Sequence, residues 1–460
     1  MPGSRTSDTG HHKDPHINRL IQRHADRRPA SERAESADVV VVGGGPAGLL
    51  AARHLAAAGL AVTVAEATDQ LGGRLATERR DGFLLDRSAH PLVADRRALG
   101  LLPRPLPLCR LSGGVALHGA AGVLRLGDAT PPEDDAPAEA TADFDRVWLR
   151  AHLARFSGLP DERLHARPEL TAAAALRARD IPDRIAGGAL RPLLAALLGD
   201  PELVTSSRQS DLRLRAFARH GLALPAAGAL TRLLVDGLPE GVTVRTGTRA
   251  VRVATTAVET ERADGERGSI PCRAVVVATG VAEAARLLPG LRRTPHGPAT
   301  VLHHAVPGAP PGTPHGPALL VDTAGRGPVA YSVAASAADP ARAPEGRTLV
   351  TSVVLGPRAA EPAELLDKAA RPQLTELHGA PADEWELLSV RHDPLAAPLL
   401  APPYAPARTT RLIDGLYVCG DHRDVPGLLG DLGSATRAAR ALLADAGQEP
   451  PGDLAATPAA

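Results

Sequence analysis

No part of this chain constrains its fold more than Asp38 to Arg74, DVVVVGGGPAGLLAARHLAAAGLAVTVAEATDQLGGR. Val39 to Val42 is apolar, β-branched throughout and too short for a helix, which suits a buried parallel strand. It runs directly into Gly43-Gly44-Gly45-Pro46-Ala47-Gly48, a G-x-G-x-x-G at a strand-to-helix turn. Gly43 permits the tight turn, Gly45 lets the backbone approach a pyrophosphate, and Gly48 lets the following helix pack closely on the strand. That helix reads from Pro46 to about Ala58, so Pro46 and Ala47 open it, and its unpaired N–H groups and dipole favour an anion there.

A second strand, Ala61 to Ala65, ends at Glu66, about 20 residues downstream, where a carboxylate takes the two hydroxyls of an adenosine ribose. Glycine-rich turns arise for many reasons, but strand, helix and acid in register make the dinucleotide reading specific. An acid at that place disfavours a phosphorylated ribose, so FAD or NAD fits better than NADP.

At 460 residues the chain has room for two or three domain-sized units. Lys+Arg 52 against Asp+Glu 52 gives a formal balance of zero, which favours neither nucleic acid nor an anionic membrane as a partner. Cys109, Cys272 and Cys419 are far apart and form no C-x-x-C, which argues against a disulfide framework and a zinc site and suits a reducing cytoplasm. No apolar stretch reaches the roughly 18 residues that span a bilayer, and the N-terminus has no apolar export core, so a soluble, cytoplasmic protein is expected.

Residues 1–37 are polar, with His11, His12 and His16 among charged residues, and read as a disordered extension. Asp81 to Asp86 reads as a turn into a short strand returning to the first domain, and Pro131 to Ala142 as an acidic loop. From Asp143 to Leu198 the pattern is helical, and a further helix runs from Ala229 to about Leu238. Val242 to Thr246 resumes strand character, and RAVRVATT, AVETERAD and SIPCRAVVVATG suggest a β-meander ending in a central strand, Ala274 to Ala278. Arg292 to Ala407 is proline-rich, with strands at Val329 to Val333 and Thr348 to Leu355 and a helix from Glu361 to Ala370, stopped before Pro372. Gly415 to Asp421 is strand then turn, and Gly433 to Ala444 is a helix.

Three separated pieces, Asp38 to Arg74 with its terminal Gly72-Gly73-Arg74, Val275 to Gly280, and Gly420-Asp421 before the last helix, resemble the flavin-containing amine oxidoreductase superfamily. Residues Arg191-Pro192, Asp200 to Leu203, Thr205 to Ser207 and Leu224-Pro225 look most like its phytoene desaturase-related branch. The resemblance implies an α/β fold in which a Rossmann-like FAD-binding domain, a parallel sheet plus β-meander, is interleaved with a mixed α+β substrate domain. The expected division is 38–97, 218–289 and 407–446 for FAD, 98–217 and 290–406 for substrate, and a disordered tail at 447–460.

By matching positions, the resemblance implies that Gly43, Gly45, Pro46, Ala47 and Gly48 cradle the FAD pyrophosphate, Glu66 holds the ribose, and Gly73 and Arg74 meet the pyrophosphate, where a guanidinium forms charge-assisted hydrogen bonds. Val251 resembles the residue whose backbone meets the adenine, Gly280 closes the later strand motif, and Gly420-Asp421 lie near the ribityl chain. Gly430-Asp431-Leu432 would open the last helix and aim N–H groups at the flavin's pyrimidine edge, stabilising negative charge on the reduced ring. The chain departs from its relatives at Ser88 and Ala435, where glycine is usual, and at Asp431, where a small residue is usual. Asp431 either caps the helix or shifts the flavin potential.

The resemblance leaves catalysis to the flavin, with no metal and no named general base; His90 is the candidate nearest the pocket, ahead of His303, His304 and His392. Neither Lys13 nor Lys368 is placed for the lysine of amine-oxidising relatives. No second nucleotide fingerprint appears, so the expected reaction is dehydrogenation or desaturation of a small apolar organic substrate, with the flavin reoxidised by oxygen or a quinone. A non-redox FAD-dependent isomerase and a non-catalytic FAD-binding protein are the alternatives.

Overall fold

The computed structural model describes residues 37–88, 92–93, 99–120, 122–127, 140–308, 315–403, 405 and 407–455. His90, the N-terminal residues 1–36 and the acidic stretch 131–139 lie outside the described residues. Strand β1 (Val39–Val42), helix α1 (Pro46–Ala57) and strand β2 (Val62–Ala65) form the expected unit. Ala37, placed in the N-terminal tail by its sequence, already bonds the framework, its N–H donating to the Pro271 carbonyl at 3.1 Å.

β1 sits inside a six-stranded sheet ordered Val242–Arg245, β2, β1, Ala274–Val277, Leu416–Val418 and Arg411–Ile413, with all but the last strand parallel. A strand buried on both faces needs apolar side chains on both. Val39 and Val41 pack beneath α1 and the helix Leu428–Asp445, whereas Val40 and Val42 meet Ala250, Val258 and Ile270 of the β-meander. That meander, Thr248–Ala254, Ala257–Arg262 and Arg267–Pro271, is antiparallel throughout.

A second sheet has seven strands, ordered Glu386–Pro398, His296–Pro307, Arg347–Leu355, Val329–Ala334, Leu319–Asp322, Val115–Gly119 and Gly122–Leu126. It draws strands from both sequence blocks assigned to substrate. One face packs against the helices between residues 140 and 220, and the other against the helix Ala363–His378.

Four readings of the sequence need correction. The helix expected to stop before Pro372 runs through it to His378. Proline there removes the N–H that would bond the Lys368 carbonyl, but Lys368 is exposed to water, while Ala370, Leu374 and Leu377 continue the buried stripe. The two longest strands, His296–Pro307 and Glu386–Pro398, were hidden by their prolines. Pro298 and Pro394 fall where the ladder between these strands slips register, and Glu386–Pro398 is an edge strand, the places that tolerate a missing donor. The last helix begins at Leu428, five residues before Gly433. Residues 447–455 are not a loose tail, because Gly452–Ala455 forms a short helix and Leu454 is fully buried in the core beneath α1.

Candidate functional site: a dinucleotide cradle opening into an apolar chamber

A cavity of about 620 Å³ begins at the carboxyl ends of the parallel strands, where ligands bind open α/β sheets, and extends to the seven-stranded sheet. The glycines at its head have distinct constraints. A Cβ on Gly48 would lie 1.9 Å from the Gly43 carbonyl oxygen, so only glycine lets α1 start this close to β1. Gly43 has φ +110, and a Cβ there would meet the Ala278 carbonyl at 2.8 Å. Gly45 differs: a Cβ on it would have no protein atom within 4 Å. It lines the cavity with Pro46 and Ala47, so its missing side chain leaves space for a ligand. The first turn-closing bond of α1 runs from Leu49 N–H to the Gly45 carbonyl at 2.9 Å, which leaves the N–H groups of Ala47 and Gly48 ahead of it for an anion.

Glu66 is buried at the end of β2 and clasps the glycine loop. Its Oε2 accepts the Gly44 N–H at 2.7 Å, and its Oε1 accepts the N–H and hydroxyl of Thr68 at 2.9 and 2.8 Å. A carboxylate oxygen has two lone-pair sites, so Oε2 keeps one for a ligand. Gly73 approaches the same loop, a Cβ on it lying 3.3 Å from the Gly45 Cα.

Arg74 bridges the two halves of the cavity. Its guanidinium donates to Asp421 Oδ2 at 2.6 Å and to the Ala396 carbonyl at 3.2 Å, so a residue of the turn Gly73–Leu75 reaches both the last turn and the seven-stranded sheet. Asp421, acting against burial, raises the arginine's pKa further above its ordinary value. Asp431 stands behind Asp421, accepting its backbone N–H at 2.9 Å. Burial, reinforced by the neighbouring Asp421 carboxylate and opposed by Arg74, pushes Asp431 up to about 7. Of the two roles open to Asp431 in the sequence, helix capping is not the one observed: its side chain bonds the turn at Asp421. Ser434 fastens the same turn, accepting the Gly420 N–H at 2.8 Å.

Gly280, at the N-terminus of helix Val281–Leu287, also lines the cavity, as do Gly43, Glu66, Gly73, Arg74, Gly420, Asp421 and Asp431. Gly430 and Leu432 do not. Because the helix starts at Leu428, the Asp431 N–H is already bonded to the Gly427 carbonyl at 3.1 Å, and the free first-turn N–H groups belong to Leu428, Leu429 and Gly430. A Cβ on Gly430 would lie 1.7 Å from the Val425 carbonyl oxygen, so its glycine serves packing, and Leu432 is fully buried in the core. Val251 is the bulged residue where the meander's register shifts, and its carbonyl accepts Arg286 Nη1 at 3.0 Å. Its neighbours Arg249 and Ala250 reach the cavity.

Several lining residues escaped the sequence reading. Thr279 has a buried hydroxyl without a partner, and His296 is held by the Thr294 carbonyl at 2.8 Å. Next to Asp421 but outside the cavity lining, His422 is buried with both ring nitrogens unpartnered, and burial lowers its pKa to about 4, so it is neutral at ordinary pH. Adjacency to the Gly420-Asp421 motif was the only signal for it. The far chamber, with Leu197, Leu198, Ala299, Val301, Tyr331 and Val353, had none, because its walls come from four separate stretches of chain. His392 lines the cavity but is tied to Thr300 Oγ1 at 2.9 Å, and His303 is held by Thr351 and the Asp86 carbonyl. None of the three cysteines lines it.

These residues fit an adenine dinucleotide: an open glycine at a helix N-terminus, an acid at the end of the second strand, and on the cavity wall a buried Thr279 hydroxyl without a protein partner. A family profile for flavin containing amine oxidoreductases matches residues 46–443. The chain belongs to the flavin-containing amine oxidoreductase family. Within that family, a phytoene dehydrogenase of Streptomyces griseus is 28% identical over 299 residues, which cover 58% of this chain and 58% of that protein. A putrescine oxidase of Kocuria rosea is 48% identical over 73 residues, 16% of this chain and 15% of that protein. The matched stretches thus span less than two thirds of either relative. Among solved structures, a putative protoporphyrinogen oxidase from Exiguobacterium sp. 255-15 superimposes with a TM-score of 0.62 at 18% identity, covering 88% of this chain and 98% of that one, which shows the shared fold.

Proposed function

We propose that this flavoprotein is an FAD-dependent dehydrogenase or desaturase of a small apolar organic molecule. The observation that carries the reading is the continuity of one cavity, with glycines and a helix N-terminus at its head and Leu197, Val301, Tyr331 and Val353 at its far end. When bound, the flavin supplies a ring that accepts a hydride.

The chain's own residues then have separable tasks. Gly45 and the α1 N-terminus receive the pyrophosphate, with Arg74 as a fixed positive charge fastened to Asp421. Glu66 offers its remaining Oε2 lone pair to the ribose. Leu428 and Leu429 present backbone N–H groups to an electron-rich ring edge, in place of the 430–432 set expected from sequence. Leu197, Val301, Tyr331 and Val353 give the chamber apolar surface that orients a C–H bond by shape, with Arg213, Arg391 and Asp393 the charged groups on its walls.

Lys368 is exposed on the helix Ala363–His378 and does not reach the cavity, so the architecture gives no support to the lysine-assisted amine chemistry. The sequence holds no second G-x-G-x-x-G, which supports reoxidation by oxygen or a quinone rather than exchange with a nicotinamide. The test is anaerobic stopped-flow mixing of the oxidised protein with polyenes, porphyrinogens, amines, NADH and NADPH, following flavin absorbance. Bleaching by an apolar substrate and slow reaction with both nucleotides are expected. Rapid, saturable bleaching by NADH or NADPH, or bleaching by amines alone, would overturn the proposal.

A further inference from the structure

A second cavity, of about 760 Å³, lies among the helices and shares no lining residue with the first. One wall is the helix Ala140–Ser157, on which Trp148, His152 and Phe156 follow at four-residue spacing. Trp148 and His152 stack with centroids 4.7 Å apart and planes 12° from parallel, and Phe156 continues the row at 4.8 Å. Burial and the surrounding arginines lower the His152 pKa to about 4, so this ring extends the apolar surface without adding charge. The facing wall carries Ala175 and Ala178, whose small side chains leave the gap open. The space is therefore a slot, aromatic on one side and thin on the other.

Its charge is mostly positive. Arg155, Arg167 and Arg179 line it. Behind the wall, Asp211 takes Arg167 at 2.8 Å and Arg179 at 2.8 and 2.6 Å, and Arg167 also sits 4.9 Å above the Phe156 ring. Asp180 is the other carboxylate at the slot, so three guanidiniums face two acids. Among the described residues the exposed Arg155 has no carboxylate partner.

We infer that this slot binds a flat aromatic carboxylate, its ring face laid across the edges of the Trp148, His152 and Phe156 row and its anionic group held by Arg155. Stacked along the helix, the three rings turn their edges to the slot, so a flat guest meets them edge to face with the alanines behind it, and a charge-assisted bond to the guanidinium orients it. This inference is independent of the flavin site. Calorimetric titration of the full-length protein with naphthalene-2-carboxylate, and with the neutral naphthalene-2-carboxamide, tests it. The carboxylate is expected to bind on the order of tenfold more tightly than the amide, with Arg155→Gln erasing that difference. Trp148→Leu should weaken both ligands at least about tenfold. If that variant does not fold, Ala178→Phe fills the slot from its exposed side and should have the same effect. Equal affinities for acid and amide, or undiminished binding after Trp148→Leu or Ala178→Phe, would overturn the inference.

Discussion

Among single residues, Asp431 is the one whose chemistry the sequence posed and the fold resolves. It is a buried carboxylate behind another carboxylate, with Arg74 the nearest relief. Its pKa lies at about 7 in the folded protein against 3.8 as the ordinary value, so between those pH values the native state holds a proton that the unfolded chain has released. Stability from this group is complete below about pH 4 and is lost as pH rises toward 7, at up to roughly 1.4 kcal/mol per pH unit. Asp431→Asn keeps an oxygen for the Asp421 N–H and removes the titration. Urea midpoints of the flavin-free protein between about pH 5 and pH 8 should therefore fall more for wild type than for the variant, by a few kcal/mol in all. Parallel profiles would show that Asp431 is ionised throughout. Glu66 illustrates the opposite case: its place was legible from spacing alone, while its bonds to Gly44 and Thr68 were not, because they depend on how the loop folds back.

At the level of elements, what could be read was what local pattern determines. β1, α1, β2 and the meander emerged nearly to the residue because alternation, glycine spacing and β-branching all pointed one way. The strands at 296–307 and 386–398 did not, since their pairing is long-range and its bulges accommodate prolines that a local reading takes as breaks. The start of the last helix was missed for a related reason: Gly430 looks like a loop residue, yet it is glycine because the Val425 carbonyl packs against its Cα. The glycine turn itself makes a separable prediction. Gly48→Ala places a methyl 1.9 Å from a carbonyl oxygen and should destabilise the flavin-free protein by about 3 kcal/mol in thermal or urea unfolding. Gly45→Ala adds its methyl to open space, so it should leave that stability within about 0.5 kcal/mol while weakening FAD binding in a fluorescence titration. Equal effects of the two substitutions on flavin-free stability would refute this division of roles.

Across the whole molecule, the six-stranded sheet presents its carboxyl ends to a cavity whose other walls come from a seven-stranded sheet assembled out of two distant stretches of chain. That interleaving explains why the glycine-lined end of the cavity was legible and its far end was not: the first is written in one contiguous run, the second in side chains that meet only after both blocks have folded. Among the described residues no helix is long and apolar enough to cross a membrane. The central claim is that the glycine cradle, Glu66, Arg74 and Asp421 together hold one FAD. The most direct measurement is to denature the purified protein and identify and quantify the flavin released, with FAD titration of any flavin-free fraction. Release of FAD, not FMN, in a near one-to-one ratio with the chain is expected, whereas a colourless protein that takes up no FAD would contradict the assignment of the cavity.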